Sequence, residues 1–271
     1  MKQVSTVLTI AGTDPSGGAG IQADLKTFQE LKSYGMSVIT SVVAQNTTGV
    51  QDVHHLPIEF IEKQLDSVLT DIPVNAFKTG MIATEDMMRV IHQRMRQQDI
   101  YYVLDPVMVA TSGDVLINEN ARDYLRDYLI PLSTVVTPNI PEAEYLTETS
   151  ITSMEDMKAA AKILVNELGA SAALIKGGHL EGHPIDWLYN GDEFYKFTSN
   201  RINTTSTHGT GCTYSAAITA LLAQENLLLT SIEYAKQFVT SALRYSFSLG
   251  HGNGPTNHWG IREDRMNSKR N

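Results

Sequence analysis

The chain has 271 residues, a formal net charge of −9, and 42% hydrophobic against 19% charged residues. An acidic chain lacks the basic face required for non-specific nucleic-acid binding or for docking to an anionic membrane, although it can still bind a small anionic ligand locally. The single cysteine, Cys212, excludes a disulfide framework and a cysteine-based zinc site. No apolar stretch approaches the length of a membrane span, so we expect a cytoplasmic protein without a signal peptide.

Short apolar runs alternate with segments of helical period along the whole chain, which predicts an α/β protein. The predicted strands, most of them nearly continuous in apolar residues, are Val4–Ala11, Val38–Ala44, Asn75–Thr79, Tyr101–Asp105, Thr134–Thr137 and Ala172–Lys176. Such runs are typical of strands covered on both faces. The alternation favours right-handed crossovers and a mostly parallel sheet.

Two segments carry the capping pattern that opens a helix. Ser153 and Asp156 have this spacing, and Gly169 suits the C-terminus of the helix that they begin; Thr230 and Glu233 repeat the pattern further along the chain. We therefore expect one helix to start just after Ser153 and another just after Thr230.

One region departs from the parallel pattern. The runs Ile185–Tyr189 and Glu193–Thr198 flank Asn190-Gly191, a pair that favours a tight hairpin turn. We expect these runs to form antiparallel strands at an edge of the sheet. No linker divides the chain, and the segment 262–271 is polar and expected to be frayed.

The first glycine-rich segment, AGTDPSGGAGIQAD, follows the first strand and opens a helix. Residues 18–23 fit the pattern G-x-G-x-x-A of dinucleotide-binding proteins, but that function also needs an acidic residue at the end of the second strand. The sequence has Ala44-Gln45-Asn46 there, which disfavours an NAD-binding oxidoreductase. A tight turn and a ligand-contacting loop both remain open for this segment.

A second glycine-rich segment, THGTGCTYSAAITALLA, precedes a helix of small residues. Gly209 and Gly211 permit a nest of N–H groups, and the helix dipole adds positive potential there. Cys212 would lie in the first turn, where the pKa of a thiol is lowered. A packed core cysteine is the alternative, but Thr210 and Thr213 favour an anion site.

Polar residues follow two other predicted strands. Asp105 precedes Pro106, and Asn139 and Glu142 open a helix after Pro138. Carboxylates at such positions can hold Mg²⁺ through water. A turn cap at Asp105 and charge complementarity at the helix start for Glu142 are the structural alternatives.

Two strand ends carry a lysine. Lys176 precedes two glycines at the end of an apolar strand and is well placed to meet phosphate, although a solvated strand end is the alternative. The segment KTGM closes the third predicted strand, where Met81 can line an aromatic pocket or belong to the plain core. In an open α/β sheet these strand ends meet at one edge.

Together these segments resemble the ribokinase superfamily, in its branch of vitamin kinases. They are most similar to the bacterial hydroxymethylpyrimidine/phosphomethylpyrimidine kinases of thiamine biosynthesis. The matching segments, in the expected order, are AGTDPSGGAGIQADLKTF, AQNTTGV, KTGM, LDPVM, TPNIPEAE, IKGGH, THGTGCTYSAA and GHGNGPTNHW. The resemblance implies a three-layer α/β/α sandwich, a single kinase domain over residues 1–261 and a homodimer.

The same resemblance implies ATP and Mg²⁺ as cofactors, and an aminopyrimidine alcohol and its phosphate as substrates. The residues implied for the pyrimidine pocket are Gly12, Asp24, Gln45, Met81 and Val107. Those implied for ATP and for the transferred phosphate are Asn139, Thr210, Lys176, Gly209, Gly211 and Cys212. Asp105 and Glu142 would help to organise Mg²⁺. Many sugar kinases carry an aspartate base where Cys212 stands.

Three other functions are weighed against this one. Pyridoxal kinases of the same superfamily tend to carry a second cysteine after the DPVM segment, where this chain has Ala110, and Gln45-Asn46-Thr47 resembles the pyrimidine-specific pattern. A non-catalytic vitamin-binding protein is disfavoured because Lys176 and Asp105 accompany the glycine-rich loop. The NAD-binding oxidoreductase is the leading alternative from another class, and the missing acidic residue after the second strand disfavours it.

Overall fold

The structure is a computed structural model, and it describes residues 4–108, 117, 119–178 and 183–268. The strands, in chain order, are β1 Thr6–Ala11, β2 Tyr34–Ile39, β3 Ser41–Asn46, β4 Gly49–His55, β5 Ala76–Thr79, β6 Tyr101–Leu104, β7 Val135–Val136, β8 Ala173–Lys176, β9 Ile185–Tyr189 and β10 Phe194–Thr198. The helices are α1 Gly20–Glu30, α2 Ile58–Leu69, α3 Glu85–Met95, α4 Glu119–Tyr124, α5 Ile140–Thr147, α6 Met154–Lys162, α7 Thr210–Ala223, α8 Leu228–Arg244 and α9 Gly260–Ser268.

Within the described residues, eight strands form the central sheet in the order β10-β9-β8-β7-β6-β5-β1-β2. The strands from β8 to β2 in that order pair in parallel, whereas β9 and β10 are antiparallel additions at one edge. The mostly parallel sheet and the edge hairpin around Asn190-Gly191 are therefore confirmed. Gly191 has a φ of 92°, a conformation that few residues other than glycine adopt readily.

Helices cover both faces of the sheet, which confirms the three-layer α/β/α sandwich. Successive side chains of β1 point to opposite faces: Leu8 and Ile10 pack with α2 to α6, while Val7 packs with α1 and α7. Helix α7 is buried along most of its length, because its small side chains, including Ala216 and Ala220, let it lie close to the sheet and to α1.

The predicted strand Val38–Ala44 is wrong in one respect, because the chain leaves the central sheet in its middle. Strand β2 ends at Ile39, and β3 begins at Ser41 and pairs with β4 in a separate two-stranded sheet. The N–H of Thr40 donates to the carbonyl of Ala11 at 3.0 Å, which marks the end of the pairing with β1. Two small polar residues, Thr40 and Ser41, separate the apolar residues on either side of this break, and the predicted strand ran through them.

The tail predicted as frayed also needs a correction over residues 262–268. These residues belong to α9, which packs against α8. Arg262 pairs with Glu30 of α1 through Nε and Oε1 at 2.7 Å, and Asp264 accepts a bond from Arg244 at 2.9 Å. Two of the charged side chains that indicated a solvated tail, Arg262 and Asp264, therefore have partners on two other helices. Among the described residues, none of the helices has the length and apolar character needed to span a lipid bilayer.

Candidate active site

A cavity of about 800 Å³ opens at the carboxyl ends of the parallel strands. Strands β1, β5, β6 and β8 all end at this edge, so residues distant in sequence converge there. The cavity is lined by every residue for which the sequence predicted a role: Gly12, Asp24, Gln45, Met81, Asp105, Val107, Asn139, Glu142, Lys176, Gly209, Thr210, Gly211 and Cys212.

Lys176 and Asp105 form an ion pair at the end of the sheet. The Nζ atom of Lys176 lies 3.0 Å from Oδ1 of Asp105, and Ser215 donates to the other carboxylate oxygen at 3.0 Å. Burial favours the neutral acid, but the charges of Lys176 and Lys78 outweigh it and hold the pKa of Asp105 below its ordinary value. Lys176 is therefore not the solvated strand end of the alternative interpretation; it is a buried cation at the cavity.

Asn139 and Glu142 form a reciprocal capping box at the start of α5. Oδ1 of Asn139 accepts the N–H of Glu142 at 2.9 Å, and Oε2 of Glu142 accepts the N–H of Asn139 at 2.8 Å. Burial raises the pKa of Glu142 to about 7, although the positive charge of Lys176 opposes the shift. The structural alternative for Glu142 is thus present, and its carboxylate also accepts a bond from the backbone of Met108.

The second glycine-rich segment brings the start of α7 to the ion pair. Gly209 is the N-cap of α7 and has a φ of 79°; a side chain there would collide with the carbonyl of Gly18. A Cβ atom at Gly211 would lie 3.4 Å from Nζ of Lys176. The first N–H groups of α7 therefore face the same space as the Lys176 ammonium group.

Cys212 differs from the expectation in its acidity. Burial raises the pKa of its thiol to about 12, with the negative charges of Asp24 and Asp105 adding to the effect and Lys78 opposing it. The expectation that the helix start lowers this pKa is therefore wrong. Loss of hydration and nearby carboxylates outweigh the helix dipole at this position, so the thiol is protonated at neutral pH.

The other end of the cavity contains the residues predicted for the pyrimidine pocket. A Cβ atom at Gly12 would collide with the methyl group of Met81, so the two residues form one wall. Gln45 lies on β3, where the pairing with β4 shifts register between Ala44 and Gln45. Val107 lies just after β6 and lines the same cavity.

Asp24 is less open to a ligand than the sequence suggested. Its Oδ1 atom accepts a bond from Nζ of Lys78 at 2.7 Å, and its Oδ2 atom accepts one from Thr9 at 2.6 Å. Both ionic side chains have no exposed surface. Burial lowers the pKa of Lys78, but its interactions with Asp24, Cys212 and Asp105 outweigh this effect and raise the pKa above its ordinary value. Lys78 belongs to the matching segment KTGM, but the sequence predicted no role for it. Its position at the end of a strand was the signal that could have placed it at the cavity.

Two further residues in the matching segments join the two glycine-rich loops. Asp14 of the first loop accepts N–H bonds from Gly18 at 3.0 Å and Ala19 at 2.7 Å, and its Oδ2 atom lies 2.8 Å from Nε2 of His208. Burial favours neutral Asp14, but hydrogen bonds led by that from His208 lower its pKa well below the ordinary value. Sequence reasoning missed this pair because 194 residues separate its members.

A third buried ion pair lies next to the turn that follows Lys176. Nζ of Lys236 on α8 lies 2.6 Å from Oδ2 of Asp186 on β9, and the Tyr214 hydroxyl donates to the same oxygen at 3.1 Å. The other oxygen of Asp186 accepts the N–H of Gly177 at 3.1 Å. Asp186 thereby fixes the turn that follows Lys176. No sequence signal marked Lys236, since it lies within an ordinary amphipathic helix.

The comparisons with known proteins agree with this geometry. The sequence profile described as phosphomethylpyrimidine kinase matches residues 14–257. A hydroxymethylpyrimidine/phosphomethylpyrimidine kinase of Staphylococcus aureus (strain MRSA252) is 48% identical over 255 residues, which cover 93% of this chain and 92% of that protein.

Two solved structures are similar over most of their length. The phosphomethylpyrimidine kinase of Clostridium difficile 630 has a TM-score of 0.79 and 41% identity, covering 89% of this chain and 99% of that chain. The pyridoxal kinase of Staphylococcus aureus, in complex with AMP-PCP and pyridoxal, has a TM-score of 0.89 and 39% identity, covering 96% of this chain and 95% of that chain.

Proposed function

Since this chain belongs to the phosphomethylpyrimidine kinase family, we propose that it phosphorylates the hydroxymethyl group of 4-amino-5-hydroxymethyl-2-methylpyrimidine with ATP. A second transfer, to the monophosphate, gives the diphosphate used in thiamine biosynthesis. The observation that carries this proposal is one cavity with two chemically distinct ends: Lys176 beside the start of α7, and the pocket of Gly12, Gln45 and Met81.

Phosphoryl transfer has a loose transition state, so positioning and charge neutralisation supply most of the catalysis. The Lys176 ammonium group lies beside Gly211, and it is proposed to stabilise the equatorial oxygens of the transferred group together with the N–H groups of Gly211 and Cys212. The N–H of Thr210 already donates to the carbonyl of Thr207 at 3.2 Å. Asn139 and Thr210 line the cavity beside them and are proposed to contact the nucleotide. The Asp186–Gly177 bond and the Lys176–Asp105 pair hold the lysine in place.

The donor set of the cavity fits Mg²⁺ in a kinase. Among the described residues, no group of three or more ligating side chains forms a cage for a metal ion. Asp105 and Glu142 both line the cavity, and one or two carboxylates suffice for an ion that keeps water and phosphate oxygens as its other ligands. We propose that these two residues hold Mg²⁺ through its water ligands, since both oxygens of Asp105 already accept bonds from Lys176 and Ser215; the ion supplies charge neutralisation of the phosphates when bound.

Cys212 is proposed to position the substrate hydroxyl rather than to remove its proton. A thiol with a pKa of about 12 is almost entirely protonated at neutral pH, and an incoming phosphate would disfavour the thiolate further. Asp24 is proposed to act through Lys78, because both of its oxygens already accept hydrogen bonds. Gln45, whose side chain is held by a hydrogen bond to Asp14, is proposed to read the pyrimidine edge.

Pyridoxal phosphorylation is the second candidate function, and the similarity to the Staphylococcus aureus pyridoxal kinase favours it. The flap position Ala110, which bears on this choice, lies outside the described residues. A coupled ADP-release assay with the pyrimidine alcohol, its monophosphate and pyridoxal separates the two functions. We expect ADP release with both pyrimidines; release with pyridoxal alone would reverse the assignment.

We also propose a cytoplasmic homodimer that acts on small molecules and binds neither nucleic acid nor membrane. The family resemblance supports the homodimer, and the net charge of −9 disfavours polyanionic partners. Analytical ultracentrifugation at micromolar concentration tests the homodimer: a single species near the monomer mass of 29.9 kDa would contradict it.

A further inference from the structure

The segment 250–256, which we call the strap, belongs to the matching segment GHGNGPTNHW but has no role in the reaction described above. It runs past the tip of the β3–β4 hairpin. Oγ1 of Thr47 at that tip accepts the N–H of His251 at 3.1 Å and the N–H of Gly252 at 3.2 Å. One hydroxyl oxygen thus joins the hairpin to a segment 204 residues away in the chain.

The glycines of the strap make this contact possible. Gly250 has a φ of 76°, and a Cβ atom there would collide with the side chain of Thr47. A Cβ atom at Gly252 would collide with the carbonyl oxygen of Thr47. The strap therefore lies against the hairpin tip at a distance that only glycine permits.

The other end of the strap pairs with the loop before α7. The N–H of His208 donates to the carbonyl of Gly254 at 3.0 Å, and the N–H of Thr256 donates to the carbonyl of His208 at 3.2 Å. His208 directly precedes Gly209, and its side chain contacts Asp14. The strap thus connects the hairpin with the residues proposed to bind phosphate.

The position of Gln45 depends on the hairpin tip. Near its start, β3 is tied to the first glycine-rich loop, because the N–H of Val43 donates to Oγ1 of Thr13 at 3.0 Å. The register then shifts between Ala44 and Gln45, and such an irregularity redirects a side chain. Gln45 lies between the anchor at Val43 and the anchor at Thr47, and its side chain also bonds to Asp14 of the first glycine-rich loop, so these three contacts set where its amide points.

We propose that Thr47 is a positioning residue for the pyrimidine site, and that the strap couples pyrimidine binding at Gln45 to phosphate binding at the start of α7. The proposal rests on the proposed function. With Thr47 bound to the strap, a pyrimidine that orders the hairpin also orders the loop at Gly209, and the nucleotide then meets a site that is already arranged.

The test uses Thr47→Val, which keeps the branched shape but removes the acceptor. The two N–H groups lie at exposed residues, so water replaces the lost bonds and the fold is retained. We expect the KM for the pyrimidine alcohol to rise about three- to tenfold, with kcat within about twofold of the wild type. Thr47→Ser, which keeps the hydroxyl, restores the wild-type KM.

The matched control is Thr48→Val. The Thr48 hydroxyl donates to Oδ1 of Asn46 at 2.6 Å, so this variant loses a bond of the same turn without affecting the strap. We expect its KM to stay at the wild-type value. A rise equal to that of Thr47→Val would mean that turn stability alone matters, and it would overturn the proposal.

Calorimetry with AMP-PCP measures the coupling directly. In the wild type, saturating pyrimidine alcohol tightens AMP-PCP binding; in Thr47→Val this factor falls by at least half, while AMP-PCP binding without pyrimidine is unchanged. If the wild type is active but Thr47→Val has an unchanged KM and unchanged coupling, the inference is wrong and the proposed function stands. The same holds if Thr47→Ser does not restore the wild-type KM. A wild type that releases no ADP with the pyrimidine alcohol removes the proposed function and this inference together.

Discussion

Among the described residues, three largely buried lysines line the cavity, and each is paired with an aspartate from another element: Lys78 with Asp24, Lys176 with Asp105, and Lys236 with Asp186. Breaking a buried pair by removing one partner costs about 3–5 kcal/mol, because the remaining charge has lost both water and its counterion. These pairs hold the cations in fixed positions at the cavity, as a site that works by charge neutralisation requires.

Lys176→Ala is expected to lower kcat by about 10²-fold or more, since it removes a charge that faces the transferred phosphoryl group. The dissociation constant of the pyrimidine alcohol should change little, because Lys176 lies at the other end of the cavity. Steady-state kinetics and calorimetry measure the two effects, with circular dichroism to check folding. Lys196→Ala, an exposed lysine of β10, is the control. An unchanged kcat in Lys176→Ala would exclude this residue from the reaction.

The acidity of Cys212 leads to a pH prediction. With a thiol pKa of about 12, alkylation by iodoacetamide at pH 8 should be at least about 10²-fold slower than that of a free thiol, whose pKa is about 8.5. The alkylation rate should keep rising with pH up to about 11, since the fraction of thiolate increases as the pH approaches the pKa. Cys212→Ser, which removes the single cysteine, measures background labelling.

The same variant tests the role of Cys212 in the reaction. If the thiol only positions the hydroxyl, Cys212→Ser should retain kcat within about tenfold of the wild type, below the 10²–10⁴-fold that a general base contributes. A larger loss of kcat in Cys212→Ser, together with rapid alkylation of the wild type at pH 8, would indicate that the Cys212 thiolate acts as the base.

Gln45 is expected to decide the choice of substrate. Its amide offers a donor and an acceptor side by side, which match the ring nitrogen and the amine of the aminopyrimidine but not the phenolic oxygen of pyridoxal. The aminopyrimidine alcohol should exceed pyridoxal in kcat/KM by at least about tenfold, or roughly 1.4 kcal/mol. Gln45→Ala should reduce that ratio. Equal losses on both substrates would remove Gln45 as the discriminating residue.

At the scale of elements, capping patterns predicted one helix start correctly and another wrongly. Ser153 and Asp156 form the expected capping box at the start of α6, and Gly169 follows with a φ of 85°. Thr230 and Glu233 do not open α8, which begins at Leu228 after the N-cap Leu227. Packing of Leu228 against the core extends that helix past the local pattern.

The capping box of α5 allows its structural and chemical roles to be separated. Glu142→Gln keeps an acceptor for the N–H of Asn139, so thermal stability should stay near that of the wild type. It removes the charge proposed to act with Asp105, so kcat should fall about tenfold or more and half-maximal activity should need more Mg²⁺.

Ser153→Ala is the control for capping alone, because α6 has the same kind of cap outside the cavity. It should lose about 1 kcal/mol of unfolding free energy and keep full activity. If Glu142→Gln is as active as the wild type at low Mg²⁺, Glu142 serves only the helix.

At the scale of the whole molecule, α9 joins the end of the chain to two other helices. Its contacts include the Arg262–Glu30 pair and the bonds of Asp264 with Ser241 and Arg244. The arginines are largely exposed, so their pairs contribute little, while Ser241 is buried. The polar segment 262–268 therefore belongs to the folded structure.

Removing residues 262–271 should lower the Tm by roughly 2–8 °C, because the loss of about 1–2 kcal/mol shifts Tm by about 2–4 °C per kcal/mol in a chain of this size. Catalytic activity should persist at temperatures well below the Tm, since none of residues 262–268, the described part of the removed segment, lines the cavity. Differential scanning calorimetry measures the shift, with Arg262→Ala to isolate the exposed pair. An unchanged Tm would support the predicted domain boundary at residue 261.

The sequence by itself determined the layered architecture and the side of the sheet that carries the site. Alternating apolar runs and helical periods reflect local geometry, and parallel strands bring their carboxyl ends to one edge whatever the details of packing. That is why residues as distant as Gly12, Asp105 and Cys212 could be assigned to one cavity.

Only the tertiary structure decided how those side chains are charged and held. The partner of Lys78 lies 54 residues away, and that of Thr47 lies 204 residues away, so no local pattern records either contact. The pKa of Cys212 depends on desolvation by every element around it, which outweighs the helix start visible in sequence. The break at Thr40 likewise depends on tertiary pairing, because apolar residues lie on both sides of it and β3 pairs with β4 rather than with the central sheet.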